Sequence, residues 1–232
     1  MDWTSPIDAY CERTDPSFWA EPVNAVTNAA FLIAPFLAYA LASRRAGSVV
    51  GWAELALSAI VFVIGIGSFL FHTVATRWAA LADVLPIAVF IFSYFAYALS
   101  RFVGLGWIGT LLATILFLAA SQLAEPAFAW AVGSSAGYMP GLLAMLGIGG
   151  FLVSRAHPAG RAVLGAGAVF TLSLAFRIAD GPVCDHWALG THFLWHILNA
   201  TTLGLLLYAA MRHGHGHGHG HGGNRADSRF GT

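Results

Sequence analysis

Long apolar stretches alternate with short polar connections along the chain, which is the pattern of membrane-spanning helices. A helix needs about 20 mainly apolar residues to cross the hydrocarbon core of a bilayer. Between two of these stretches the segment AEPAFAWAVGSSAGYMP is amphipathic, so the boundaries are least sharp there. The pattern predicts an all-α bundle of seven transmembrane helices, at residues 23–43, 50–73, 79–100, 106–123, 136–154, 161–180 and 190–211.

The composition agrees with an integral membrane protein. Hydrophobic residues make up 58% of the chain and charged residues only 9%, with a mean hydropathy of +0.71, which is far from the range of water-soluble domains. The 11 basic residues are all arginine, and they balance 11 acids. This balance argues against a nucleic-acid partner and against a basic helix on a membrane surface.

The arginines predict the orientation of the bundle, because basic residues concentrate in cytoplasmic loops. With seven spans, six arginines fall on one side and two on the other, which places the N-terminus outside and the C-terminus in the cytoplasm. The absence of lysine and the Ala/Gly/Arg bias favour a bacterial inner membrane, with the endoplasmic reticulum or Golgi expected for a eukaryotic chain. The cytoplasmic six are Arg44, Arg45, Arg101, Arg155, Arg161 and Arg212, and the outer two are Arg13 and Arg77.

Polar segments flank the predicted catalytic domain of residues 23–211. Residues 1–22 are acidic and lack the basic and apolar regions of a cleavable signal peptide, so they are expected to remain as an extracytoplasmic segment. Residues 212–232 alternate glycine and histidine and are predicted to be a disordered cytoplasmic tail. This tail is either a native metal-binding tract or an appended sequence, and it has no part in the predicted site.

Five histidines lie outside the tail, and the predicted topology sorts them by depth. His157 lies in an inner loop and His186 in an outer loop. His72 ends the second span at the outer level, where the seventh span begins with His192 and His196. The latter two are four residues apart and project from one helix face, about 6 Å apart. Three imidazoles at one depth predict a zinc site with an open fourth position, although each alone is also typical of a hydrogen-bonded interior histidine.

Two further polar residues lie at the same predicted level. Asp83 opens the third span, eleven residues after His72, and an ionisable group inside a membrane segment is a candidate for function. Ser68 lies one turn before His72 on the same face. Its hydroxyl could donate to an oxyanion, or it could simply permit close helix packing.

The two cysteines, Cys11 and Cys184, both fall in predicted extracytoplasmic segments. A disulfide can persist on that side of the membrane. Whether the two residues pair depends on their separation in space, which the sequence alone leaves open.

The order Ser68-x3-His72, Asp83, His192-x3-His196 over seven spans resembles the alkaline ceramidase family, within the superfamily that also contains progestin/adipoQ-type receptors and hemolysin III-like proteins. The segments YCER, FWAEPVNAVTN, GSFLFH, LADVLP and HFLWHIL favour the ceramidases specifically. The resemblance covers nearly the whole chain up to the His/Gly tail.

The resemblance implies a zinc-dependent amide hydrolase that cleaves ceramide, or a related N-acyl membrane lipid, to a sphingoid base and a fatty acid. Three histidines would bind zinc, a carboxylate would orient and deprotonate the water at the metal, and a serine would assist at the scissile carbonyl. The family also links its two cysteines at these positions. The residues implied at the centre are His72, His192 and His196, Asp83 and Ser68.

The resemblance also implies a calcium site in the acidic N-terminal segment, where carboxylate oxygens suit this hard cation. The chain departs from the family pattern there. Tyr10 replaces the usual tryptophan, Asp8 lies one place further from Cys11 than expected, and Thr14 stands where asparagine is usual. The alternative is that the acidic residues cap the start of the first helix. The positions that match the site are Asp8, Tyr10, Glu12, Glu21 and Asn24.

Three alternative functions remain open on the sequence. A receptor of the same superfamily would have a closed, structural zinc site. A transporter or channel would use the histidines to relay protons or metal ions. The third alternative is a hydrolase that acts on another lipid amide or ester.

Overall fold

The computed structural model describes residues 2–44 and 50–214. Within these ranges every regular element is a helix, apart from an isolated bridge between Pro6 and Thr76. A π-helical turn, Leu99–Val103, follows α4, and a 3-10 helix, Gly133–Tyr138, separates α5 from α6. The α-helices are α1 (Pro22–Thr27), α2 (Ala29–Ser43), α3 (Trp52–Val74), α4 (Arg77–Ala98), α5 (Trp107–Val132), α6 (Met139–Ser154), α7 (Gly160–Val183) and α8 (His192–His213).

Six helical segments of the described residues are long and apolar enough to cross a membrane. Helices α1 and α2 together form the first, Pro22–Ser43. The fourth, Trp107–Ser154, has 48 residues and contains both α5 and α6. At about 1.5 Å per residue, this segment is longer than one crossing requires. The structure thus has six such segments where the sequence predicts seven spans. The difference arises because the predicted fourth and fifth spans fall in one helical segment without a non-helical connection.

Helix α5 extends nine residues beyond the end predicted for the fourth span, to Val132 instead of residue 123. The added stretch contains Pro126, which has no amide hydrogen to donate to the preceding turn. The surrounding residues, AEPAFAWAV, are rich in alanine, the strongest helix former, and the helix continues through the proline. It ends at Gly133, whose φ of +54° favours glycine.

Helix α8 lies at the centre of the bundle, where it packs against α2 and α7. Helix α3 packs against α4, and α6 packs against α7. Phe31, Ile64 and Leu207 are fully buried between these helices. Because α8 is enclosed on several sides, the side chains of His192, Trp195 and His196 in its first turns are buried.

Residues 2–21 fold over the end of the bundle where α3 ends and α8 begins, and we name them the N-terminal cap. The amide of Ile7 donates to the carbonyl of Ala75 at 2.7 Å, just after α3. A disulfide joins Cys11 to Cys184 at the end of α7, as the family resemblance implies. The cap is therefore attached to two different helices.

The opposite end of the bundle contains a buried carboxylate that the sequence analysis does not single out. Glu54 is 1% exposed, accepts a hydrogen bond from the hydroxyl of Tyr97 and also bonds the amide of Gly51. Tyr94, one turn earlier on α4, donates to the carbonyl of Leu206 at 2.9 Å. These bonds connect α3, α4 and α8. Most of the predicted tail, residues 215–232, lies outside the described residues.

Candidate metal centre

Three histidines from two helices meet beneath the N-terminal cap. His72 lies in the last turn of α3, while His192 and His196 occupy the first turns of α8. All three side chains are buried, and their ring centroids are 4.6 to 5.1 Å apart. One ring nitrogen from each lies within 4.8 Å of the other two, which is close enough for all three to share one ion.

Hydrogen bonds fix two of the imidazoles in one tautomer. His72 Nδ1 is 2.6 Å from Glu21 Oε2, and because a carboxylate only accepts, the proton lies on Nδ1. His196 Nδ1 is 2.9 Å from Thr27 Oγ1, whose own proton is donated to the carbonyl of Val23. Thr27 therefore accepts from His196. The Nε2 atoms of both histidines are left with a free lone pair.

The Glu21 carboxylate, which accepts the hydrogen bond from His72, stays ionised at neutral pH. Burial raises the pKa of Glu21, but the hydrogen bond from His72 and the adjacent Arg13 guanidinium lower the pKa by more. The net effect is a pKa below the usual value. When a histidine binds a metal through one ring nitrogen, a charged acceptor that bonds the other ring N–H raises the basicity of the ligating nitrogen. This arrangement is common at metal centres.

Each of the three histidines has one buried ring nitrogen without a hydrogen-bond partner among the described residues: Nε2 of His72, Nδ1 of His192 and Nε2 of His196. Leaving one buried polar atom unpaired costs about 1–3 kcal/mol, so three together are hard to explain without a ligand. Imidazole nitrogen suits Zn²⁺, which takes three protein ligands at catalytic sites. The donor set therefore fits the zinc ion that the sequence predicts.

Asp180 positions the start of α8, a role that the sequence analysis missed. Its Oδ1 accepts hydrogen bonds from the amides of Thr191 and His192, at 2.7 and 2.9 Å, and its Oδ2 accepts from the amide of Cys11. Gly190 has a φ of +64°, and a Cβ there would overlap the Asp180 carboxylate. An acidic residue near the end of an apolar span was the available signal.

We expect Asp180→Ala to lower both stability and metal affinity. The substitution leaves two buried amides and one partly buried amide without their acceptor, which should cost about 3 kcal/mol of the free energy of unfolding. Thermal denaturation and a metal titration in detergent measure the two effects. Asp185→Ala is the matched control, because Asp185 lies five residues further on and is exposed. Equal melting temperatures for the two variants would contradict the role of Asp180.

The second polar group at the centre is Asp83 with Ser68. Ser68 is buried on α3, and its hydroxyl interacts with the carboxylate of Asp83 on α4. Gly67 permits this approach, because a Cβ at that position would overlap the carbonyl oxygen of Ala82. Asp83 also lies close enough to His72 for an electrostatic interaction. The structure thus groups the three predicted histidines, and it places Asp83 beside Ser68 and within electrostatic reach of His72.

An arginine that the sequence analysis overlooked borders the same region. Arg177 on α7 donates to the hydroxyl of Ser135 at 2.6 Å, and its guanidinium lies 5.2 Å from the ring centroid of Tyr138 and 5.7 Å from that of Trp195. It also interacts with Tyr10 of the cap. A charged residue inside an apolar span was the signal that could have identified it.

Of the residues matched to a calcium site, Asn24 has a buried side-chain oxygen without a hydrogen-bond partner, but the carboxylates of Glu12 and Glu21 are already bonded. The Glu12 carboxylate accepts from the amides of Val23 and Asn24, at 2.7 and 2.8 Å, so it caps α1 as the alternative interpretation expects. Both Glu21 oxygens are hydrogen-bonded, and one of them accepts from the Asn24 side chain. Asp8 is exposed. The donor set is therefore a poor fit to calcium, which remains a sequence prediction.

The ring of Tyr10, one of the positions matched to the calcium site, contacts the histidine cluster. Its ring stacks on His192, with centroids 3.6 Å apart, and it covers the histidine cluster from the side of the cap. Burial raises the pKa of Tyr10, so its hydroxyl stays protonated.

Fold and site together define the class of protein: a helical protein with six segments able to cross a membrane and, beneath a disulfide-bonded cap, a buried histidine cluster that could bind a metal ion. Among the described residues the other close group of possible ligands is Cys11, Asp180 and Cys184, whose cysteines are joined to each other. No protein-family model and no curated protein sequence gives a significant match to the chain.

Proposed function

We propose that this chain is a zinc-dependent amide hydrolase of the alkaline ceramidase family, which cleaves ceramide or a closely related N-acyl lipid to a sphingoid base and a fatty acid. The observation that carries the proposal is the set of three unpartnered histidine nitrogens, one of whose residues, His72, interacts electrostatically with Asp83. A closed structural site would need a fourth protein ligand. Among the described residues, the metal-ligand group at this centre has only the three histidines.

We further propose seven membrane crossings, with the N-terminus outside and the C-terminus in the cytoplasm. Helices α5 and α6 would cross separately, because Gly133 and the 3-10 helix interrupt their common segment. The distribution of arginines supports this orientation. The cap and its disulfide then lie on the extracytoplasmic side, where a disulfide can persist. The proposed location is the inner membrane of a bacterium, or the endoplasmic reticulum or Golgi of a eukaryote.

Hydrolysis of an amide needs a nucleophile, a polarised carbonyl and a proton for the leaving amine. A bound zinc ion supplies Lewis acidity and lowers the pKa of water towards about 7. Asp83 takes a proton from the attacking water and returns it to the amide nitrogen. The carbon–nitrogen bond breaks, the hydroxyl of the water becomes part of the fatty acid, and the transferred proton becomes part of the amine. Ser68 holds the Asp83 carboxylate and can donate to the carbonyl oxygen as negative charge develops.

The surroundings of the centre support a lipid substrate. A narrow cavity with an almost entirely apolar lining lies between α4, α6 and α8 and reaches Asn199, one turn beyond His196. An acyl chain that followed this cavity would bring its amide group to the level of the histidines. The chemistry of the lining favours a long alkyl chain over a polar ligand.

The proposal is tested with purified protein in detergent and three lipids that carry the same labelled acyl chain: a ceramide, an N-acylethanolamine and a diacylglycerol. We expect fatty-acid release to be fastest from ceramide. Release from the diacylglycerol alone would identify an ester hydrolase instead. Zinc bound at one ion per chain with no release from any of the three lipids would favour a receptor-like protein.

A further inference from the structure

The N-terminal cap contains a buried cation of its own. The Arg13 side chain is 5% exposed, although the residue lies in a polar segment and the sequence places it in an outer loop. Its Nε donates to Glu21 Oε1 at 2.6 Å. Its Nη1 donates to the carbonyls of Asp15 and Ser17, and its Nη2 donates to the carbonyl of His72 at 3.0 Å.

One carboxylate and three backbone carbonyls therefore surround this guanidinium. Carboxylate and carbonyl oxygens are also the ligands that a calcium ion takes in proteins. The Glu12 carboxylate, which the family resemblance assigns to such an ion, is instead bonded to the amides at the start of α1. A divalent cation placed on the Glu21 carboxylate would meet the fixed positive charge of Arg13 and be repelled.

We propose that Arg13 takes the place of calcium in this protein: its guanidinium is a built-in cation that organises the cap and positions the metal ligand His72. It acts on His72 in two ways. It holds the backbone carbonyl of the last turn of α3, and it holds the Glu21 carboxylate that accepts the His72 Nδ1 proton. The metal centre then assembles without calcium.

Arg13 is therefore a positioning residue, which acts through His72 and Glu21 and does not itself bind the metal. The inference rests on the proposed metal centre and is independent of which lipid is cleaved. Its tests use metal binding rather than hydrolysis, so failure of the ceramidase proposal would leave them unaffected.

The first test measures calcium binding to the wild-type, zinc-loaded protein. We expect no bound calcium after equilibration with millimolar calcium chloride, and the same melting temperature with and without it. One calcium ion per chain, or a calcium-dependent rise in melting temperature, would overturn the proposal. This test needs no variant.

The second test replaces zinc by cobalt(II), whose visible absorption reports the geometry of its ligands. Groups that orient a metal ligand contribute about 10–100-fold to affinity, so we expect Arg13→Gln to bind cobalt about tenfold more weakly and with an altered spectrum. Arg13→Lys keeps the charge and should lie closer to the wild type. Arg77→Gln is the control, because Arg77 is exposed at the start of α4.

A folded Arg13→Gln variant with the wild-type cobalt affinity and spectrum would contradict the positioning role. If Arg13→Gln does not fold, Arg13→Lys supplies the comparison, because the shorter cation cannot reproduce the fork of donors. An Arg13→Lys protein with the cobalt affinity and spectrum of the wild type would then overturn the positioning role.

Discussion

The Asp83→Asn variant should keep its fold and bind zinc like the wild type, while its rate of ceramide hydrolysis falls by about 10²–10⁴-fold. Asparagine has nearly the same shape as aspartate, and its side chain can still interact with the Ser68 hydroxyl. It cannot take a proton from water at neutral pH. Because the imidazoles of His72 and His196 are hydrogen-bonded to Glu21 and Thr27 rather than to Asp83, the metal-binding groups should be unaffected.

This result is measured as the steady-state release of fatty acid, with the zinc content determined on the same sample. Asp185→Asn is the matched control, because it makes the same change at an exposed position outside the centre. A near-normal rate for Asp83→Asn would remove Asp83 from the role of proton acceptor. Loss of zinc from this variant would instead show that the carboxylate helps to hold the metal.

The His196→Ala variant should lose both zinc and activity. Groups that only orient a ligand are worth about 10–100-fold in metal affinity, so removal of a ligand should cost more than about 100-fold. The two remaining histidines come from different helices and cannot complete a site with three protein ligands. Hydrolysis should fall to the background rate.

His186→Ala is the control for this variant, because His186 is an exposed histidine shortly before α8. Zinc content, melting temperature and hydrolysis should all match the wild type there. One zinc per chain in a folded His196→Ala protein would exclude His196 as a ligand. That outcome would also leave the unpartnered nitrogen of His196 unexplained.

The positions of the main helices and the histidine cluster could be predicted from the sequence for simple physical reasons. Membrane helices need a minimum apolar length, so their approximate positions and their order follow from hydropathy. The spacing of His192 and His196 places both rings on one helix face. His72 lies in a different helix, but its position near the end of a span predicts its depth in the membrane. That depth matches the depth of His192 and His196, which was sufficient to predict that the three residues cluster.

The absence of a non-helical connection between Trp107 and Ser154 was not predicted, because the local composition there favours both a connection and a helix. The alanine-rich stretch after residue 123 forms helix despite Pro126. Hydropathy also gives no information on the residue at which one apolar helix ends and the next begins. The separation of α5 and α6 by a short 3-10 helix became visible only in the structure.

The hydrogen-bond partners of the histidines could not be predicted either. Glu21 and Asp180 act from the ends of helices, and their partners lie far away in the sequence. Periodicity describes the faces of a helix and says nothing about which loop folds over its end. For the same reason the sequence places Arg13 only in the polar N-terminal segment, whereas in the structure its side chain is buried against Glu21.

Zinc-dependent cleavage of ceramide is tested most directly by a zinc titration of metal-free protein, with fatty-acid release from ceramide measured at each step. We expect that release is absent without metal, rises in proportion to bound zinc and reaches its maximum at one zinc per chain. Full release from metal-free protein would contradict zinc-dependent hydrolysis. So would a protein that binds one zinc per chain and leaves ceramide intact.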